Sequence, residues 1–205
     1  MAATVERPLM ELADAFHNLG RTVGSSFPPM KVEAFLGACS KLLPMICATY
    51  DQASYMFQEF FGKIELMRNN VSNCATTLAE LIDEDKANNC VASADSNCLL
   101  LLRLMRSLDL IKVLFEELLT VHDVTLQIAA ENAYTSVFGE YHGLPTQTLV
   151  VESILQLPTR EEIRDKINET EDGEIIQLKR YVDGSIVVID YVDSLFKSKD
   201  VATDW

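Results

Sequence analysis

Two groups of residues in this chain combine charge and spacing in a way that could do chemistry. Glu59 and Lys63 stand four apart in a stretch of helical character, so a helix brings carboxylate and ammonium onto one face, where an exposed pair is worth only ~0.3–0.5 kcal/mol. Arg103 interrupts the run Leu99-Leu100-Leu101-Leu102-Arg103-Leu104. A guanidinium in apolar surroundings needs an anion or several acceptors, and a structural salt bridge or an anionic ligand would each supply them. Catalysis has less support: HExxH, GxSxG, a phosphate-cradling glycine-rich loop and an Asp-rich calcium loop are all missing. His17 and His122 fall at ordinary amphipathic or surface positions, and no two histidines lie within one helical turn. The spacing therefore indicates neither a metal site nor a cofactor.

The elements that must hold these residues read as helices, because nearly every long segment repeats its apolar residues at helical rather than alternating spacing. Pro8 opens a first helix that runs to Gly20, with Ser25 to Pro29 as the following loop. A second helix is expected over about residues 30 to 40, and after Pro44 a longer one carries Tyr55, Met56, Phe60 and Ile64 to about Asn70. Further helices are expected over about 72 to 86, 91 to 121, 126 to 142, 146 to 156 and 174 to 197. The stretch from 91 to 121 is apolar on most sides, which makes it the central helix. Residues 161 to 174 hold seven acids against Arg164 and Lys166, most simply a solvated surface. An all-α fold in one domain over residues 1–205 follows.

Charge and cysteine usage narrow the function further. Seventeen Lys and Arg against 31 Asp and Glu give a net charge of −14, and such a chain gains nothing from releasing the counterions of a phosphate polymer, so nucleic acid is not an expected partner. Five cysteines without a CxxC pair fit neither a disulfide framework nor a zinc site and read as reduced, mostly buried thiols. The start of the chain lacks the apolar region of a secretory signal, and no uncharged run approaches the ~20 residues of a membrane span. A cytosolic location is expected.

The segment Asn97-Cys98-Leu99 through Arg103, Arg106 and Asp109 to Leu114-Phe115-Glu116, followed by Tyr134-Thr135-Ser136-Val137-Phe138 and Tyr141-His142-Gly143, resembles the glycolipid transfer protein superfamily. Leu157-Pro158-Thr159-Arg160, Leu195-Phe196 with Ser198-Lys199, and the final Asp204-Trp205 extend the resemblance over almost the whole chain. It implies a two-layer helical sandwich whose apolar interior takes sphingolipid chains, with a polar head-group site at its mouth and no covalent chemistry. Carried over residue by residue, the head-group positions are Glu59, Lys63, Arg103 and His142, with Arg106 as an auxiliary position. Members that bind sugars have Trp at position 103 and members that bind phosphate have Arg, so Arg103 implies a phosphate head group such as that of ceramide-1-phosphate. Lys63 and Arg103 would take the phosphate, while Glu59 accepts from the lipid amide N–H and His142 donates to the amide carbonyl.

The chain departs from the family pattern at three places. Glu59 replaces the usual Asp, Leu99 stands where a second phosphate-binding Arg is found, and Leu144 follows His142-Gly143 where most members have Trp. The resemblance thus implies an intermembrane sphingolipid carrier making transient membrane contact. The two leucines support a second reading, a lipid sensor or protein-interaction adaptor on the same fold. No particular protein partner is indicated.

Overall fold

The computed structural model describes residues 6–24, 29–49, 55–71, 76–121 and 123–203. Their elements are α1 (Pro8–Gly24), α2 (Val32–Ser40), α3 (Leu43–Thr49), α4 (Tyr55–Asn70), α5 (Leu78–Ala87), α6 (Asn97–Thr120), α7 (Leu126–Phe138), α8 (Leu144–Leu155), α9 (Arg160–Lys166) and α10 (Glu171–Ser198). An isolated antiparallel bridge joins Lys31 to Thr77; the described residues are otherwise helices and connections. The all-α expectation holds. Most of the loop from Ser25, His122, Cys74, Asp204, Trp205 and the side chains of Tyr55 and Met56 lie outside the described residues.

Several helix boundaries differ from the periodicity because a capping side chain decides where the ladder starts. The central helix begins at Asn97 rather than near residue 91, since the Ser96 hydroxyl accepts from the Leu99 N–H at 3.1 Å. The segment expected to run unbroken from Pro44 to Asn70 is two helices, α3 and α4. α10 starts early, at Glu171, where Thr170 accepts from the Gly173 N–H. α7 stops at Phe138 instead of continuing to His142, and the amides of Tyr141 and His142 both turn back onto the Phe138 carbonyl. His142 therefore sits on a tight turn between α7 and α8, not on a helix face.

α6 is central, as its composition implies: it packs against α10, α7, α4 and α5, while α10 also lies along α1. α1 and α10 approach closely at Gly20 and Gly184. The core is contiguous, running from Leu12 and Phe16 on α1 through Leu101, Leu104 and Leu108 on α6 to Tyr181 and Val188 on α10.

Two expectations about charge are corrected. Arg103 is exposed although its neighbours Leu101, Leu102 and Leu104 are buried, so the leucine run surrounds α6 on its other sides and the guanidinium is not a buried cation. The acidic stretch is not uniformly solvated. Glu174 is only 6% exposed and pairs with Arg160 (2.9 Å) and Arg164 (3.3 Å), and Glu169, 8% exposed, pairs with Arg7. Unpaired carboxylates at that depth would be strongly destabilising, and the arginines offset the cost.

Cys39 and Cys98 are buried free thiols whose burial pushes their pKa values up, and Cys47 and Cys90 are half-buried free thiols. Among the described residues no helix is long and apolar enough to cross a membrane.

Candidate functional site

A cavity of about 240 Å³ runs between α6 and the helices around it. Its lining is apolar over most of its length, supplied by Leu110, Ile111, Leu114 and Phe115 from α6, Ala130 and Ala133 from α7, and Val150 and Ile154 from α8. On α6 the lining extends from Ser107 to Leu118, eleven residue steps and therefore ~16 Å at 1.5 Å per residue. That is close to the depth of one leaflet in a hydrocarbon core ~30 Å thick.

Polar side chains gather at the two ends. At the Ser107 end stand Glu59, Lys63 and His142. Lys63 Nζ meets Glu59 Oε1 at 2.9 Å, and the Lys63 side chain is 14% exposed against 43% for Glu59. The i,i+4 spacing on α4 produces the contact. Because the ammonium is the more buried partner, losing Glu59 would leave a poorly hydrated cation without its counter-charge.

His142 is positioned by α7. Its Nδ1 lies 2.9 Å from the Tyr134 hydroxyl, and its ring stacks on Phe138 with centroids 4.9 Å apart. Desolvation raises the Tyr134 pKa, so the phenol keeps its proton. In the tautomer in which the phenol donates to Nδ1, the imidazole proton sits on Nε2, where it is available to a ligand carbonyl. Burial, followed by the positive charge of Lys63, lowers the His142 pKa below its usual 6.5; Glu59 acts the other way and Arg106 adds to the lowering.

In the unfolded chain His142 regains its ordinary affinity for protons, so the unfolded state binds more protons than the folded one between the depressed value and about 6.5. Its contribution to stability is therefore complete above 6.5, falls as pH drops through that window, and levels off below the depressed value. An NMR titration of the ring should find the folded pKa below 6.5 and find it higher in Lys63→Met. An unshifted ring would rule out this electrostatic arrangement.

Of the positions carried over from the family pattern, Glu59, Lys63 and His142 converge on one cavity end. Arg103 does not line the cavity; it lies on α6 one turn outward of Ser107, whose hydroxyl donates to the Arg103 carbonyl at 2.9 Å. Its guanidinium has no ion pair among the described residues. Arg106 is turned elsewhere: it covers the Tyr141 ring at 3.6 Å and donates to the Thr203 carbonyl at 2.5 Å, in a separate cleft with Asp109 and Glu140. It ties down the C-terminal segment. Leu99 is 8% exposed and does not line the cavity, whereas Leu144 is 78% exposed at the start of α8.

Sequence reasoning missed Tyr134 as the residue that orients His142, although their eight-residue separation across a helix end was visible. It also missed the far end of the cavity, where Arg160 and Glu174 line the wall beside Leu118. Among the described residues no group of His, Cys, Asp and Glu is arranged to hold a metal ion.

The family model described as "Glycolipid transfer protein (GLTP)" matches residues 30–169. Accelerated cell death 11 of Arabidopsis thaliana is 32% identical over 202 residues, covering 98% of this chain and 97% of the relative. The ACD11 homolog protein of the same plant is 27% identical over 209 residues, covering 99% and 91%. A crystal structure of an Asp-to-Asn mutant of Arabidopsis Accelerated cell death 11, complexed with C12 ceramide-1-phosphate, is similar with a TM-score of 0.92 at 30% identity, over 98% of this chain and all of that one. Human ceramide-1-phosphate transfer protein, in complex with 12:0 ceramide-1-phosphate, shares the fold with a TM-score of 0.82 at 16% identity, over 97% and 98% of the two chains.

Proposed function

The chain belongs to the glycolipid transfer protein family, and from that premise we propose that it is a cytosolic sphingolipid carrier, which lifts ceramide-1-phosphate or a related phosphosphingolipid from one membrane and releases it at another. The observation that carries this reading is a leaflet-deep apolar cavity with polar groups converging at one end and, just beyond them, Arg103, which forms no ion pair among the described residues. Covering a roughly sixteen-carbon chain is worth on the order of 12 kcal/mol at ~0.8 kcal/mol per CH₂, enough to compete with a bilayer. At about 240 Å³ the cavity is small for a ligand pocket, so the helices must part as the chain enters.

Each polar residue then has a task. His142 donates from Nε2 to the lipid amide carbonyl, and Glu59 accepts from the amide N–H. Lys63 contributes a point charge to the phosphate, and Arg103, hydrated until the lipid arrives, closes a two-point contact on its oxygens. Binding and release are reversible, and no bond in the lipid is made or broken.

Membrane contact falls to α8. Its inner face lines the cavity through Val150 and Ile154, while Leu144 (78% exposed), Val151 (38%) and Leu155 (72%) share an adjoining flank, about 100° round the helix, at spacings of seven and four residues. With a net charge of −14 the protein gains little from anionic lipids, and apolar insertion is the available attraction. Leu155→Glu should lower the fraction bound to zwitterionic vesicles and slow transfer while leaving lipid affinity in detergent unchanged. Equal vesicle binding by this variant would remove α8 from the docking surface.

Transfer of fluorescent ceramide-1-phosphate between vesicles, run beside a glycosylceramide, tests the whole reading. Selective movement of the phosphate lipid is the expected result. Leucine in place of the second Arg of the family pattern at position 99, with Leu144, is what favours the other reading, a sensor or adaptor, and Leu99 is buried outside the cavity lining rather than facing the head-group end. Tight binding of the phosphate lipid without transfer would establish that one, and binding of neither lipid would overturn the carrier.

A further inference from the structure

The far end of the cavity carries a feature that an apolar chain does not call for. Glu174, 7% exposed at its side chain, receives hydrogen bonds from Arg160 at 2.9 Å and Arg164 at 3.3 Å. Arg160 also donates to the Leu118 carbonyl at 3.2 Å. Arg160 and Glu174 both line the cavity, alongside the apolar Leu118, Ile163 and Leu178. The guanidinium side chains are 27% and 21% exposed, so the cluster borders the apolar cavity and is not fully enclosed.

We propose that the Arg160–Glu174 pair is the floor of the chain pocket and sets the longest hydrocarbon chain the protein accepts. The pair sits between helix ends that are themselves held in place. Arg160 is the first residue of α9, behind a capping box in which Thr159 and Glu162 satisfy each other's backbone N–H groups. Glu174 lies in the first turn of α10, behind the Thr170 cap. The bond to Leu118 fastens both to the end of α6, so three helices share one polar knot.

A chain that reaches the knot cannot go further without separating the ions. Hydrocarbon offers neither charge a partner, and a carboxylate as buried as Glu174 cannot be left unpaired without a large penalty. The apolar walls nearer the mouth can part by small shifts of side chains, whereas the floor resists because its contacts are directional. Methylenes beyond this depth stay in water or fold back, and each forfeits about fourfold in affinity relative to a covered one.

The inference takes its ligand class from the carrier reading but its geometry from the cavity alone, so two probes separate them. Primary alkanols of increasing length, competing with a fluorescent chain probe, read depth without any head group. Their affinity for the wild-type protein should rise about fourfold per methylene and then stop rising. In Arg160→Ala/Glu174→Ala the plateau should move to longer chains, with a gain of at least about fourfold for the first alcohol beyond the wild-type limit. Ceramide-1-phosphates with graded acyl chains should shift in parallel.

Affinity that climbs without a plateau in the wild type, or a plateau that stays put in a folded double variant, would overturn the floor. Should the double variant fail to fold, Ile163→Phe, which fills the same end from α9, must move the plateau to shorter chains. An unmoved plateau there would place the chain elsewhere and overturn the proposal. A plateau for alkanols together with no binding of ceramide-1-phosphate would sustain the floor and sink the carrier reading.

Discussion

Arg103→Leu should lower affinity for ceramide-1-phosphate by at least about 30-fold, and by up to several thousandfold if the phosphate is fully desolvated in the complex. Arg103 stands one turn of α6 outside the cavity lining, where it can close on a phosphate whose lipid amide is held by His142 and Glu59. With leucine at position 99, Lys63 would be the remaining cation at the head group, and its ammonium is already shared with Glu59 at 2.9 Å. A single shared point charge does not replace a planar fork of donors. Stability should hardly change, because the guanidinium is exposed and forms no ion pair among the described residues. Isothermal titration with a short-chain ceramide-1-phosphate, accompanied by a thermal melt, reads both quantities. Undiminished affinity in a folded variant would move the phosphate away from Arg103 and dismantle the proposed head-group site.

Gly184→Ala should be among the most destabilising single changes that add only one carbon. A Cβ at position 184 would lie 2.6 Å from the His17 nitrogen and 2.7 Å from the Phe16 carbonyl carbon, contacts with main-chain atoms that no rotamer change relieves. Across the crossing, a Cβ on Gly20 would meet the Gly184 carbonyl at 3.0 Å. α1 and α10 would have to separate along the most extensive helix pairing in the molecule, at an overpacking cost of ~1–3 kcal/mol or more. For a chain of this size each kcal/mol lowers Tm by about 2–4 °C, so a loss of roughly 2–12 °C is expected. α1 contributes Leu9 to the cavity, and α10 contributes Leu178 and Glu174. The separation should therefore reach the pocket as well, and chain binding should weaken together with stability. A melting temperature equal to that of the wild type would show that the two backbones have room to spare.

The helices were legible from their apolar spacing, and Pro8 marked the first of them. The caps Thr77, Ser96 and Thr170 act on backbone groups only three residues away, yet the starts they fix differ from the starts expected near 72, 91 and 174. Periodicity alone was less sharp. It ran α6 backward through residues 91 to 96, where the Ser96 cap prevents it, and ran α7 forward into the turn that holds His142. At the site, the Glu59–Lys63 pair was readable because four residues make one helical turn. The convergence of His142 with that pair depended on the family pattern, since no local spacing connects residue 142 to residue 63.

By itself the sequence determined the helical class, the apolar central helix, the acidic balance and, through the order of its motifs, the family to which the chain belongs. Helix formation and capping are settled between near neighbours, and a string of residues records near neighbours directly. Tertiary structure alone decided which charges are buried. Glu161 and Glu174 are both acids in one acidic stretch, yet the first is exposed and the second, 6% exposed, is gripped by two arginines. Arg103 sits among leucines and still reaches water, while Gly184 is pressed against a helix more than 160 residues earlier in the chain. Burial and ion pairing depend on distances through space, and those exist only after α6, α9 and α10 have packed.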